Sequence, residues 1–219
     1  MNSDQRLQSD VEQELRWDPS IRSEDIGVSV SSGVVQLDGH VDSYSGRWAA
    51  ERAAMRVSDA KVVASEIKVQ LPTSAVRTDE DIARTAMDHL DWNDLVPGTV
   101  KVLVHDGSLT LSGTAEWQYQ KEEAGRSVRY LTGVTWVSNE IAVTPTTSAV
   151  DVKGRIEAAL KRNAEIDAAT ITVEAVGGIV TLRGRVRSWA ERDQAEFAAW
   201  SAPGVSNVDD RILISLAAS

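Results

Sequence analysis

The sequence predicts an α+β fold of three tandem α-β-β-α-β modules, each a three-stranded mixed sheet with two helices on one face. Three observations predict it: landmark residues repeated at constant spacing, apolar stripes at helical spacing, and alternating apolar runs between the stripes. In every copy a turn glycine precedes, by 6 residues, the glycine of an L-x-G strand: Gly33 and Leu37-Asp38-Gly39, Gly107 and Leu111-Ser112-Gly113, Gly178 and Leu182-Arg183-Gly184. A further landmark stands 27 residues beyond each strand glycine, at Glu66-Ile67, Glu140-Ile141 and Arg211-Ile212. This register divides the chain into residues 1–72, 73–146 and 147–219.

Each copy opens with a helix. Leu7, Val11 and Leu15 fall at i, i+4 and i+8, as do Ile82, Ala86 and Leu90, and Val152, Ile156 and Leu160. That spacing makes one stripe facing a core. Two alternating strands follow. Their inward residues are Ile26, Val28 and Val30 with Val35, Leu37 and Val41; Val100, Val102 and Val104 with Leu109, Leu111 and Ala115; and Ile171, Val173 and Ala175 with Val180, Leu182 and Val186. Ser32-Gly33, Asp106-Gly107 and Gly177-Gly178 supply the positive φ of tight hairpins. The second helices carry Ala50, Ala54 and Val57; Ala124, Val128 and Leu131; and Ala195, Ala199 and Ala202. Such small residues predict a helix lying close on the sheet, and Gly39, Gly113 and Gly184 are expected to permit that approach. The last strands carry Ile67, Val69 and Leu71; Ile141 and Val143; and Ile212, Ile214 and Leu216. The Pro-marked segments Leu71-Pro72-Thr73-Ser74 and Thr144-Pro145-Thr146-Thr147-Ser148 read as linkers.

Composition narrows the function. With 42% hydrophobic and 26% charged residues the chain can bury cores, so a folded chain is expected. It has no cysteine, hence no disulfide framework, thiolate metal site or cysteine nucleophile. The net charge of -10 repels phosphates, so no nucleic-acid partner is expected. Met1-Asn2-Ser3-Asp4 begins no apolar signal region, and no run is long and apolar enough to cross a membrane. The expected compartment is the cytoplasm; a chain already relieved of its signal would read the same and lie in the periplasm.

The final segment of the second copy reads Gly133-Val134-Thr135-Trp136-Val137-Ser138-Asn139-Glu140-Ile141, and that of the third Gly204-Val205-Ser206-Asn207-Val208-Asp209-Asp210-Arg211-Ile212. With the hairpin and V-x-L-x-G-x-V core, this pattern resembles the BON family of bacterial modules. The first copy departs, with Asp59-Ala60 in place of Gly-Val, so its turn into the last strand is expected to be built differently. The resemblance implies a non-enzymatic module. Its relatives are mostly envelope or periplasmic proteins, proposed to bind phospholipid membranes and to act in osmotic or other stress.

No catalytic constellation emerges from the residues themselves, and no catalytic residue, metal site or cofactor is assigned. His40, His89 and His105 recur at no equivalent position and read as surface residues. The acidic runs Glu24-Asp25, Asp79-Glu80-Asp81, Glu122-Glu123 and Asp209-Asp210 leave a cation-binding reading open, although Asp79–Asp81 suit a helix start. Gly177-Gly178 lacks the Lys-Ser/Thr of a phosphate loop. The sharpest surface feature lies in the third copy, where Leu182-Arg183-Gly184-Arg185-Val186-Arg187 alternates arginines with inward residues. Arg183, Arg185 and Arg187, with Arg211 on the last strand, are expected on the open sheet face. Trp189, just beyond, is the best contact candidate among 7 tryptophans. The other ring-bearing helix ends, Trp17 and Trp92, are expected to bury their rings at a core edge. By residue count the copies carry net charges of -4, -5 and -1, so the third is the odd one. Its arginine face is open to three readings: plain solvated surface, contact with a protein partner or a second copy, and anionic phospholipid. Four arginines give about 4 kcal/mol toward an anionic membrane, near millimolar affinity, so lipid binding needs an added apolar insertion or multivalency.

Overall fold

A computed structural model describes residues 3–145, 151–163 and 168–215. Leu216 and the linker residues Thr146, Thr147 and Ser148 lie outside them. The chain divides into two compact units, residues 1–114 with 120–142, and residues 115–119 with 143–219. The first two modules thus share most of one unit.

In the first module α1 (Ser3–Trp17) buries Leu7, Val11 and Leu15. β1 (Ile26–Ser31) and β2 (Val34–Val41) form an antiparallel hairpin, and α2 (Tyr44–Arg56) starts at the cap Ser43, whose Oγ accepts from the Gly46 amide. The chain then returns as β3 (Val62–Ser65) and β4 (Lys68–Val69), both parallel to β2. A helical crossover brings the returning strand in parallel, whereas a two-residue turn makes the first pair antiparallel. The second module repeats this with α3 (Asp79–Asp91), β5 (Lys101–His105), β6 (Ser108–Ser112), β7 (Thr114–Ala115), α4 (Gln118–Arg129), β8 (Trp136–Asn139) and β9 (Ala142–Val143). The third has α5 (Val152–Arg162), β10 (Ile171–Val176), β11 (Ile179–Val186), α6 (Trp189–Trp200) and β12 (Asn207–Ile214). In each copy the second strand is central, giving the orders β1-β2-β3, β5-β6-β8 and β10-β11-β12.

The inward strand residues and helix stripes meet in the cores. Val35 and Leu37, Leu109 and Leu111, and Val180 and Leu182 are fully enclosed, as are Val11, Ala86 and Ile156 from the first helices. Val57, Leu131 and Ala202 fall just past the ends of α2, α4 and α6, where they pack against the cores from the turn.

The strand glycines are explained differently from the expectation. Gly39, Gly113 and Gly184 have φ of +114°, +115° and +145°. A Cβ there would overlap the backbone carbonyls of Asp25, Thr99 and Thr170, which lead into the neighbouring strand. What requires glycine is the backbone conformation and that crossing carbonyl, and no helix is the obstacle. The turn into the last strand differs in the first module as anticipated. Gly133 and Gly204 take positive φ, Asp59 does not, yet all three turns keep one hydrogen bond: Lys61, Thr135 and Ser206 each donate to the carbonyl of their hairpin glycine, Gly33, Gly107 or Gly178.

Candidate functional site

The open face of the third module is set by strand alternation. Thr172, Glu174 and Val176 project from β10, Ile179, Thr181, Arg183 and Arg185 from β11, and Asp209, Arg211 and Leu213 from β12. Pairing arranges them in rows: Val176 beside Ile179, then Glu174–Thr181–Asp209, then Thr172–Arg183–Arg211, then Arg185–Leu213. Arg183 and Arg211 are therefore true neighbours.

The face is less basic than the arginine count implies. Arg211 donates from Nε to Asp209 Oδ2 at 2.8 Å. That bond holds the Asp209 carboxyl below its ordinary range, helped by the charges of Arg211 and Arg183, and in turn raises Arg211. Glu174 adds a second carboxylate from β10, on the far side of β11. Exposed apolar side chains frame the cluster: Val176 (79% exposed) and Ile179 (50%) at the hairpin end, and Leu213 at the other.

One of the four arginines expected on this face lies elsewhere, and so does the contact candidate Trp189. Arg187 lies one residue past β11, where its Nε donates to Glu191 Oε1 at 2.7 Å and its backbone amide to Glu191 Oε2 at 2.8 Å. Glu191 also donates its amide to the cap Ser188, so Arg187 serves the start of α6. Trp189 begins α6 with the Arg192 guanidinium 5.0 Å from its ring centre. Arg192 in turn donates to Asp210 at 2.6 Å, and Asp210 lies in the inward register of β12, so Trp189 belongs with the helical layer. The alternation was read correctly at Arg187; the strand simply ends before it.

The first module's equivalent face is not uniformly acidic. His40 registers beside Lys68, and Asp42 pairs with Arg22 at 2.9 Å. His40, His89 and His105 are all exposed. Among the described residues no three His, Asp or Glu side chains converge as a metal site.

Four tryptophans of the first two modules divide into two kinds. Trp17 and Trp92, at equivalent helix ends, are 84% and 89% exposed, against the expectation of rings at a core edge. Each stands two residues past the last stripe residue, Leu15 or Leu90, which turns it about 200° away from the core. Trp92 borders an open cleft of about 920 Å³ shared with Asp88, His89 and Asn93. Trp48 and Trp136, by contrast, tie the first two modules together. Arg47 lies 4.6 Å over Trp136, Arg129 lies 3.7 Å over Trp48, and Tyr44 meets Trp136 edge-on at 5.9 Å. The Tyr44 hydroxyl donates to the Val137 carbonyl at 3.5 Å, and burial pushes its pKa up. Sequence reasoning missed this junction; Tyr44, Arg47 and Trp48 at the start of one helix were its available signal.

The profile of the BON domain matches the chain three times, at residues 3–70, 78–145 and 148–215. The chain belongs to the BON domain family. A BON relative, Osmotically-inducible protein Y of Escherichia coli (strain K12), is 31% identical over 128 residues, which cover 54% of this chain and 63% of that protein. The match thus spans less than two thirds of the relative's length. Among solved structures, the chain is similar to CdsD, a structural protein of the Type III secretion system of Chlamydia trachomatis, at 14% identity and a TM-score of 0.27, over 97% of this chain and 93% of that one. It is also similar to the periplasmic domain of the T3SS inner membrane protein PrgH of S.typhimurium, at 13% identity and a TM-score of 0.24, over 88% and 96% of the two chains. No helix among the described residues is long and apolar enough to cross a membrane.

Proposed function

We propose that this BON protein is a non-catalytic, stress-associated binding protein whose third module contacts another polypeptide through its open sheet face. One observation carries the reading: Arg183 and Arg211 stand side by side, partly neutralised by Asp209 and Glu174 and framed by exposed Val176, Ile179 and Leu213. Arginine amid apolar and compensating acidic groups suits a protein interface. It suits an anionic bilayer poorly. Three arginines less two carboxylates leave one net charge, worth about 1 kcal/mol at such a surface. The link to osmotic stress is drawn from the inducible relative of Escherichia coli.

A second reading is favoured by Trp17 and Trp92, whose exposed rings suit the interfacial zone of a membrane. Photo-crosslinking in cells under hyperosmotic shock separates the two. A photoreactive residue at Leu213 is expected to capture a protein, including a second copy of the chain, and Arg183→Glu with Arg211→Glu to abolish capture. No protein adduct at Leu213 overturns the first reading. Lipid adducts at Trp92 instead establish the second. Fractionation of the same cells decides between cytoplasm and periplasm.

A further inference from the structure

The three hairpin turns hold the same backbone shape. Their φ pairs are 54° and 76° at Ser32-Gly33, 49° and 73° at Asp106-Gly107, and 57° and 85° at Gly177-Gly178. In two of them the paired turn amides grip a carboxylate. Ser32 and Gly33 donate to the two oxygens of Asp4 at 2.8 and 3.2 Å. Asp106 and Gly107 donate to the two oxygens of Asp79, both at 2.9 Å. These bonds hold the Asp79 carboxyl below its ordinary range. In both cases the aspartate stands three residues before the first stripe residue, Leu7 or Ile82, in the opening turn of the helix.

The third module presents the same cradle, and no carboxylate among the described residues closes it. Three residues before Val152 stands Ala149, which lies outside the described residues. The helix α5 begins at Val152. Among the described residues no side chain accepts from Gly177 or Gly178, and a Cβ built on Gly177 would meet nothing within 4 Å. The flanks differ too. Val176 and Ile179 border this turn, where Ser31 and Val34, or His105 and Ser108, border the others.

We infer that the Gly177-Gly178 turn is a docking point for a carboxylate supplied by another polypeptide, an aspartate bordered by apolar side chains. The two amides would take its oxygens as Asp4 and Asp79 are taken, and Val176 and Ile179 would meet its neighbours. The turn continues the open face that carries Arg183 and Arg211, so the inference rests on the protein-contact reading and names the partner chemistry at one end of it. A preformed pair of amide donors is an anion-binding concavity whichever chain supplies the anion.

The test is an amide-resolved NMR titration of the full chain with the capped tripeptide Leu-Asp-Leu, its Leu-Asn-Leu counterpart, and inorganic phosphate. Saturable downfield movement of the Gly177 and Gly178 amides with the aspartyl peptide is expected, with little from the asparaginyl one. Gly33 and Gly107, already occupied, should not move. No movement at Gly177 and Gly178, or equal movement with the asparaginyl peptide, overturns the inference. Response to phosphate alone overturns it in favour of a phosphate anion. These readouts are independent of crosslinking at Leu213, so failure here leaves the arginine face standing, and the reverse.

Discussion

The junction between the first two modules makes a quantitative prediction. Trp136 projects from β8 and is held from one side by Arg47, 4.6 Å above its ring, and from another by the edge of Tyr44 at 5.9 Å and 71°. A cation over an exposed ring contributes about 0.5–1 kcal/mol, and an edge-on aromatic pair about 0.5–1.5 kcal/mol. Trp136→Ala removes both, for a loss of about 1–2.5 kcal/mol. The sharper perturbation is a double-mutant cycle of Trp136→Leu with Arg47→Gln, which isolates the ring–guanidinium contact. Arg47 is already ordered by Glu51, whose Oε1 accepts from its Nε at 2.9 Å. Little side-chain entropy therefore opposes the contact, and the coupling should approach about 1 kcal/mol. Local opening is the appropriate readout, because a chain of several modules need not unfold in one step. Hydrogen exchange of the β8 amides, measured in the four proteins of the cycle, gives the opening free energy. Additive effects, with coupling below about 0.3 kcal/mol, refute the claim that this stack joins the modules.

Other predictions follow from the same geometry. Gly113→Ala should cost about 2–3 kcal/mol in denaturant unfolding, because its positive φ and the Thr99 carbonyl both oppose a Cβ. Gly177→Ala, with open space around it, should cost only roughly 1 kcal/mol. Burial raises the Glu196 carboxyl although Trp200 donates to it at 3.3 Å. Its folded-state pKa thus exceeds the unfolded one, so its ionisation costs stability above the folded value and the cost disappears as pH falls toward the unfolded value. Glu196→Gln should therefore stabilise the third module at neutral pH and lose its advantage in acid, as thermal melts across a pH series will show. Asp79 has the opposite sign: its carboxyl is lowered by the Gly107 and Asp106 amides, so its contribution is full above the ordinary aspartate range and vanishes as pH falls through the lowered value. Asp79→Asn should accordingly destabilise the second module at neutral pH and become silent in strong acid. Trp17→Ala with Trp92→Ala should leave stability nearly unchanged while abolishing any partition into vesicles, measured by flotation.

The periodicities carried most of the fold. Stripes such as Leu7, Val11 and Leu15, and alternation such as Val35 and Leu37, are buried because only those phases place apolar groups on the shared core. Some surface information was equally available. Asp209 and Arg211 are two apart on one strand and so share a face, which already foretold that the arginine carries its own counter-charge. Trp17, two residues past Leu15, was pointed outward by its own stripe. The reason for the strand glycines was not legible, because a positive φ and a crossing carbonyl from Thr99 arise from tertiary path and leave no periodic trace. Nor was the Trp136 stack, since Tyr44 and Arg47 reach it from a helix of the preceding module, distant in sequence.

Function in this chain is read best from the differences between equivalent positions. The cores of the three modules solve one packing problem, so inward residues are interchangeable in kind: Leu37, Leu111 and Leu182 occupy one site. Outward residues escape that constraint, and there the copies part: Asp38, Ser112 and Arg183 share a register position, as do Val62, Trp136 and Asn207. Trp136 shows what such a position can do, since it forms a contact between modules where its equivalents carry a valine or an asparagine. The hairpin turns follow the same logic with backbone in place of side chains. A cradle of fixed shape is closed by Asp4 and Asp79 in two modules, and in the third it ends the sheet face that carries the arginine pair and has apolar flanks. The charge, apolar frame and preformed donors of this exception are what the proposed contact with another polypeptide draws on.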